Sequence, residues 1–204
     1  MRRTYGKKVY YEELNKRIIL IGILFIAFVI LGTCLNKIFP GYENIINDSI
    51  SRIEEYYSSS DSIGIKNTIL SNLKLDFKFM SLIGILNLLV ITFPISILIF
   101  MLKGLSIGYT INSCILLLKA KSIKIVFTAL IKNLVIIPGT IILIIISINY
   151  LKEFVKEYKN KKKKNIIFLL KQYLLNLIII LVSTLLIQAL LNFIFINILQ
   201  FLVR

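Results

Sequence analysis

Thr184, Gln188 and Asn192 recur at intervals of four in an otherwise apolar stretch, with Asn176 eight residues before Thr184. On a helix these side chains form one polar stripe. Two chemistries suit such a stripe: it lines a permeation path, or it hydrogen-bonds to a neighbouring helix. A second set, Gly104, Gly108 and Asn112, repeats with the same period, and Ser106 and Ser113 lie nearby. Small residues at that spacing let another helix backbone come close, either within one molecule or in a homo-oligomer.

Catalytic machinery is missing. The chain has no histidine, which removes Ser/His and Cys/His nucleophile pairs, imidazole acid–base chemistry and histidine metal ligands together. Cys34 and Cys114 each sit inside an apolar segment, so neither a disulfide framework nor a metal site is indicated. The string Leu31-Gly32-Thr33-Cys34 has threonine where a lipoprotein cleavage site needs a smaller residue, and Cys34 reads as a buried thiol. No small-x-small cleavage site follows the first apolar run, which therefore reads as a retained anchor. Gly104 to Gly108 lacks the strand–turn–helix setting of a dinucleotide site, and no phosphate-binding Walker loop occurs. The carboxylates fall in polar segments as solvated charge. The expectation is a non-enzyme with no cofactor.

The elements that must position these residues are membrane helices. No acidic residue occurs between Phe79 and Leu151. Windows 18–35, 79–102, 133–151 and 172–203 approach or exceed the roughly 20 apolar residues that cross a hydrocarbon core, and 104–118 is a shorter fifth. With 57% hydrophobic residues and a mean hydropathy of +0.85, the membrane bundle accounts for the chain as a single domain, 1–204, with membrane lipid as its solvent. The net charge of +15 comes from lysines at the ends of apolar runs, where they orient helices, so no nucleic acid is expected.

Charge placement predicts a topology. Residues 1–17 and the basic loop 152–171 belong inside, and the balanced loop 36–78 belongs outside. An odd number of crossings must lie between the last two, and three fits the apolar lengths. The expected fold is an all-α integral membrane protein with five transmembrane helices, N-terminus inside and C-terminus outside. The final window would reach about 48 Å as one helix, against a core of roughly 30 Å, so its span is placed at 172–195 with the remainder along the outer interface.

Short amphipathic helices are expected at the outer surface. Residues 119–132 place Lys121, Lys124, Thr128 and Lys132 on one side and Ile123, Val126, Phe127 and Leu130 largely on the other. In the outer loop, Ile46, Ile50, Ile53 and Tyr57 form an apolar stripe that either caps the bundle or docks a partner, and Ile65, Ile69, Leu73 and Phe77 resume it toward the second span. No acidic residue falls inside any span so defined, which leaves a proton relay without a carboxylate carrier.

The order of these segments resembles the stage II sporulation protein M family of endospore-forming bacteria over nearly the full length. A basic start leads from Tyr11-Glu12-Glu13-Leu14-Asn15 into the first span. The string from Phe100 through Lys103 and Gly104 to Thr110 is similar to that family's lysine-glycine turn before a glycine-containing span, and Leu130 to Pro138, with Asn133, to its Asn-to-Pro entry into the fourth. Two departures are that Ile131 stands where the family often has proline, and that the wider superfamily's His and Glu in that region have no counterpart. The resemblance implies a non-catalytic scaffold of the engulfment machinery in the mother-cell membrane at the sporulation septum. It would localise or anchor peptidoglycan hydrolases, acting with stage II sporulation proteins P, an amidase, and D, a lytic transglycosylase. The rival expectation is a channel or permease subunit of the cytoplasmic membrane, motivated by the polar stripe.

Overall fold

The computed structural model describes residues 2–38, 62–118, 133–160 and 163–203. The elements among them are helices: α1 Arg2–Ile38, α2 Ser62–Leu86, α3 Phe93–Leu118, α4 Ile136–Lys159 and α5 Lys163–Val203. Four contain stretches long and apolar enough to cross a membrane, namely Glu13–Ile38, Phe93–Ser113, Ile136–Lys159 and Asn165–Asn192. α2 is not among them, because Lys74, Asp76 and Lys78 stand close together near its middle. This is the build of a helical membrane protein, in which each helix satisfies its own backbone groups.

The helices alternate in direction around one core. α1 and α3 run parallel, with the Phe25 and Phe100 rings stacked at 4.8 Å and Asn36 bonded beside Ser113. α2 and α5 run antiparallel, Gly84 meeting Tyr173 and Met80 meeting Thr184. α4 is antiparallel to α5, through Ser147 against Tyr173 and Gly139 against Thr184. Ile21, Phe25, Ile83, Phe100, Met101, Leu143 and Ile144 fill the centre. Large apolar side chains such as Leu20, Ile23, Ile178 and Val182 face outward, as acyl chains permit and water does not.

One end of the bundle is defined by polar contacts. Arg17 Nη1 donates to Asn149 Oδ1 at 2.9 Å, Arg17 also pairs with Glu13, and Lys152 Nζ lies 3.7 Å from Glu13 Oε1. Leu88 and Phe93 pack around Tyr150 and Tyr173, which brings the α2–α3 turn to the same end. The basic segment 152–171 begins there too, and most of it is helical, shared between the end of α4 and the start of α5.

Several expectations change. The window 79–102 is not one helix: it is cut by a turn over residues 87–92, and 104–118 is the second half of α3. Pro94, which has no N–H to donate, fits the first turn of α3 and would break a helix interior. Leu88, Leu89, Val90 and Ile91 keep the turn as apolar as its flanks, so hydropathy does not reveal it. Lys103 and Gly104 form no turn but lie within α3. α5 continues through residue 195 to Val203 without a break.

On α2 the buried face is Asp76, Met80, Ile83 and Gly84, continued by Asn87 in the turn, while Phe77 is exposed. Of the apolar stripe that ends there, Leu73 is half-buried, and the side chains of Ile65 and Ile69 lie outside the described residues. Cys34 is exposed rather than buried, on the side of α1 turned from α3. Ile46, Ile50, Ile53 and Tyr57, and the segment 119–132, lie outside the described residues.

Candidate functional site

Three groups of residues give the bundle its specificity. The first is the α1–α3 seam. Gly32, Gly104 and Gly108 face the opposing helix so closely that a Cβ at Gly108 would collide with the carbonyl oxygen of Val29, and one at Gly32 with that of Leu105. At Gly104 it would meet the Phe25 ring at 3.0 Å and the Phe25 carbonyl oxygen at 3.2 Å. Asn112 Nδ2 reaches the Thr33 carbonyl at 3.4 Å, and Asn36 Nδ2 donates to the Tyr109 carbonyl at 3.0 Å and to Ser113 Oγ. Gly104, Gly108 and Asn112 thus all lie on an intramolecular helix contact.

A second group joins four helices near the α2–α3 turn. Tyr173 is 2% exposed; its hydroxyl donates to the Gly84 carbonyl at 2.9 Å and lies 3.2 Å from Ser147 Oγ. Tyr150 stacks on the Tyr173 ring at 4.6 Å. Ser96, at the start of α3, bonds to Asn87, the first residue of the α2–α3 turn, and both are fully buried. These contacts satisfy groups that hydrocarbon would leave unpaired.

The third group is ionisable. Asp76 on α2 is 3% exposed. One turn later Met80 Sδ accepts a bond from Thr184 Oγ1 at 3.3 Å, and antiparallel register puts Gln188, fully buried, one turn beyond Thr184 at the level of Asp76. Thr140 on α4 is also fully buried, bonded to its own Ile136 carbonyl at 2.7 Å. The stripe expected on α5 is therefore turned inward at Thr184 and Gln188, toward a carboxylate that sequence reading placed in a solvated outer loop. Its sequence signal was the recurrence of Met80, Ile83, Gly84 and Asn87 at helical spacing after Asp76.

Lys103 belongs to the same region. Its Nζ lies 5.3 Å from the centroid of the Phe79 ring, a cation–π contact across the α2–α3 hairpin. Asn133 is half-buried just before α4. Pro138 is exposed in the first turn of α4, where its missing N–H leaves no bond unmade. Gly139 beside it packs against the Thr184 methyl. Asn133 and Pro138 therefore begin the helix that walls the Asp76–Thr184–Gln188 row.

Among the described residues no group of three or more Cys, Asp, Glu or His side chains is placed to hold a metal ion. The chemistry on offer is hydrogen bonding and charge inside an apolar bundle. No family model, curated protein or solved structure matches this chain.

Proposed function

We propose that this protein is a non-catalytic membrane scaffold for septal peptidoglycan remodelling during spore engulfment, positioning an amidase and a lytic transglycosylase of the kinds that act with stage II sporulation protein M. The reading rests on the resemblance of the chain's segment order to that family, although Lys103-Gly104 lies within α3 rather than at a turn. Lys103-Gly104 with Gly108 and Asn133 with Pro138 stand at helix contacts and at a helix start, where a scaffold needs its shape fixed. In this reading all five helices cross the membrane of the mother cell. Residues 1–17 and 152–171 lie inside and the segment between α1 and α2 outside, in keeping with the clustering of Glu13, Arg17, Asn149 and Lys152 at one end.

Deleting the gene should leave the hydrolases competent but misplaced, so that septa form and engulfing membranes stall. The purified protein should not digest peptidoglycan. Replacing Ile46, Ile50, Ile53 and Tyr57 with polar residues tests whether the outer loop docks the hydrolases. Fluorescence localisation of the amidase decides the scaffold: normal septal recruitment in the deletion strain rejects it.

A channel or permease subunit is the second reading, favoured by the buried row of Asp76, Thr184 and Gln188. Solute or ion flux in proteoliposomes above that of empty vesicles, abolished by Gln188→Leu, would select it.

A further inference from the structure

At the end of the bundle marked by Arg17 and Asn149, α4 and α5 do not stop. α4 continues past Asn149 to Lys159 and α5 begins at Lys163, so this hairpin reaches about 15 Å beyond that level. Asn165 Nδ2 donates to Glu157 Oε2 at 3.0 Å and ties its two arms together. Segment 152–171 holds eight lysines against two glutamates. Lys152, Lys156 and Lys159 recur at intervals of four and three, all exposed on one face of α4.

Large apolar side chains stand open among these charges. Phe168 is 66% exposed, with Ile167 and Tyr158 exposed beside it in the same hairpin, and in the α2–α3 turn at this end Ile91 is 87% exposed. Water disfavours such a mixture, whereas the boundary between headgroups and acyl chains accepts both parts. Val182, Ile178, Leu175, Lys171 and Phe168 share one exposed face of α5. The Ser147–Tyr173 contact sets an antiparallel register that puts Lys171 level with Asn149. From Lys171 to Val182 is about 16 Å along the helix, close to half of a core roughly 30 Å thick. An acyl chain laid along that face brings its phosphate to the Lys171 ammonium.

We propose that this end of the protein is a seat for phospholipids with anionic headgroups, with the exposed face of α5 as the acyl track and Lys171, Lys156 and Lys159 as the cations that select the charge. Basic clusters directly beyond membrane helices attract acidic lipids over a Debye length, and an apolar track at the same place holds the lipid body. The seat requires only that the helices lie in a bilayer. It holds whether the protein scaffolds or conducts.

The chain contains no tryptophan, so one introduced by Phe168→Trp reports that place alone, and Leu190→Trp, exposed on the far half of α5, gives a reference. Each full-length variant is reconstituted in phosphatidylcholine vesicles containing phosphatidylglycerol, with one lipid or the other brominated, and quenching gives the local lipid composition. Phosphatidylglycerol should be enriched about threefold over its bulk share at the Phe168→Trp position and stay near bulk at the Leu190→Trp position. Adding Lys171→Gln should lower the enrichment about twofold, and Lys156→Gln with Lys159→Gln should bring it close to bulk, as should about 0.5 M salt. These lysines are exposed, so quenching at the Leu190→Trp reference by brominated phosphatidylcholine should not change. Equal composition at the two tryptophans, or enrichment that persists in the triple lysine variant, overturns the seat.

Discussion

The carbonyl oxygen of Val29 occupies the space in which a side chain at Gly108 would begin. Two backbones meet here with no atoms between them, and the contact is made by α1 and α3, which are not consecutive in the chain. Since lipid gives helices no hydrophobic drive to associate, close packing of this kind, with the Asn36 and Asn112 bonds beside it, is what holds the pair.

Gly108→Leu should therefore force α1 and α3 apart. Overpacking typically costs about 1–3 kcal/mol, and obstruction by backbone lies at the upper end because the carbonyl cannot rotate away as a side chain does. Thermal scans in detergent should show lower melting and lower abundance. Wild-type melting would mean that the glycine faces lipid.

Tyr173→Phe removes one hydroxyl while keeping the ring on Tyr150. The Gly84 carbonyl then loses its donor and Ser147 a neighbour, for a loss of about 1–3 kcal/mol typical of a buried group left unsatisfied. Tyr173→Ala, which also removes the stacked ring, should be worse by a few kcal/mol. Chemical or thermal unfolding of the two variants side by side measures the difference.

Topology is open to direct labelling. In a background lacking Cys34 and Cys114, a membrane-impermeant thiol reagent applied to intact cells should modify a cysteine placed at Ser60 and spare one at Lys162. The reverse pattern would turn the whole bundle over, because Glu13, Arg17 and Lys152 share one end.

How much was legible differs from element to element. α1, α4 and α5 could be read from hydropathy because polar or basic residues flank their apolar runs. The α2–α3 boundary could not, since the turn is made of Leu88 to Ile91 and the only local marker is Pro94. The small-residue spacing at Gly104 and Gly108 announced a close contact but not its partner, for Gly32 lies in a different apolar run and the pairing is non-local. Asp76 was misjudged for a related reason. With Lys74 and Lys78 beside it the segment reads as hydrated, and only the three-dimensional arrangement turns the acid inward and leaves the two lysines outside.

The parallel pairing of α1 with α3 sets a timetable for biogenesis. Asn36 bonds to Ser113, seventy-seven residues further along the chain, so its partner does not yet exist when α1 enters the bilayer. During that interval α1 is held by its own hydrophobicity and by the basic residues at its start, with Gly32 and Asn36 turned to lipid. Once α3 arrives, the wait ends in a contact between two carbonyl-lined faces, and a helix inserted early becomes the template on which a later one is received.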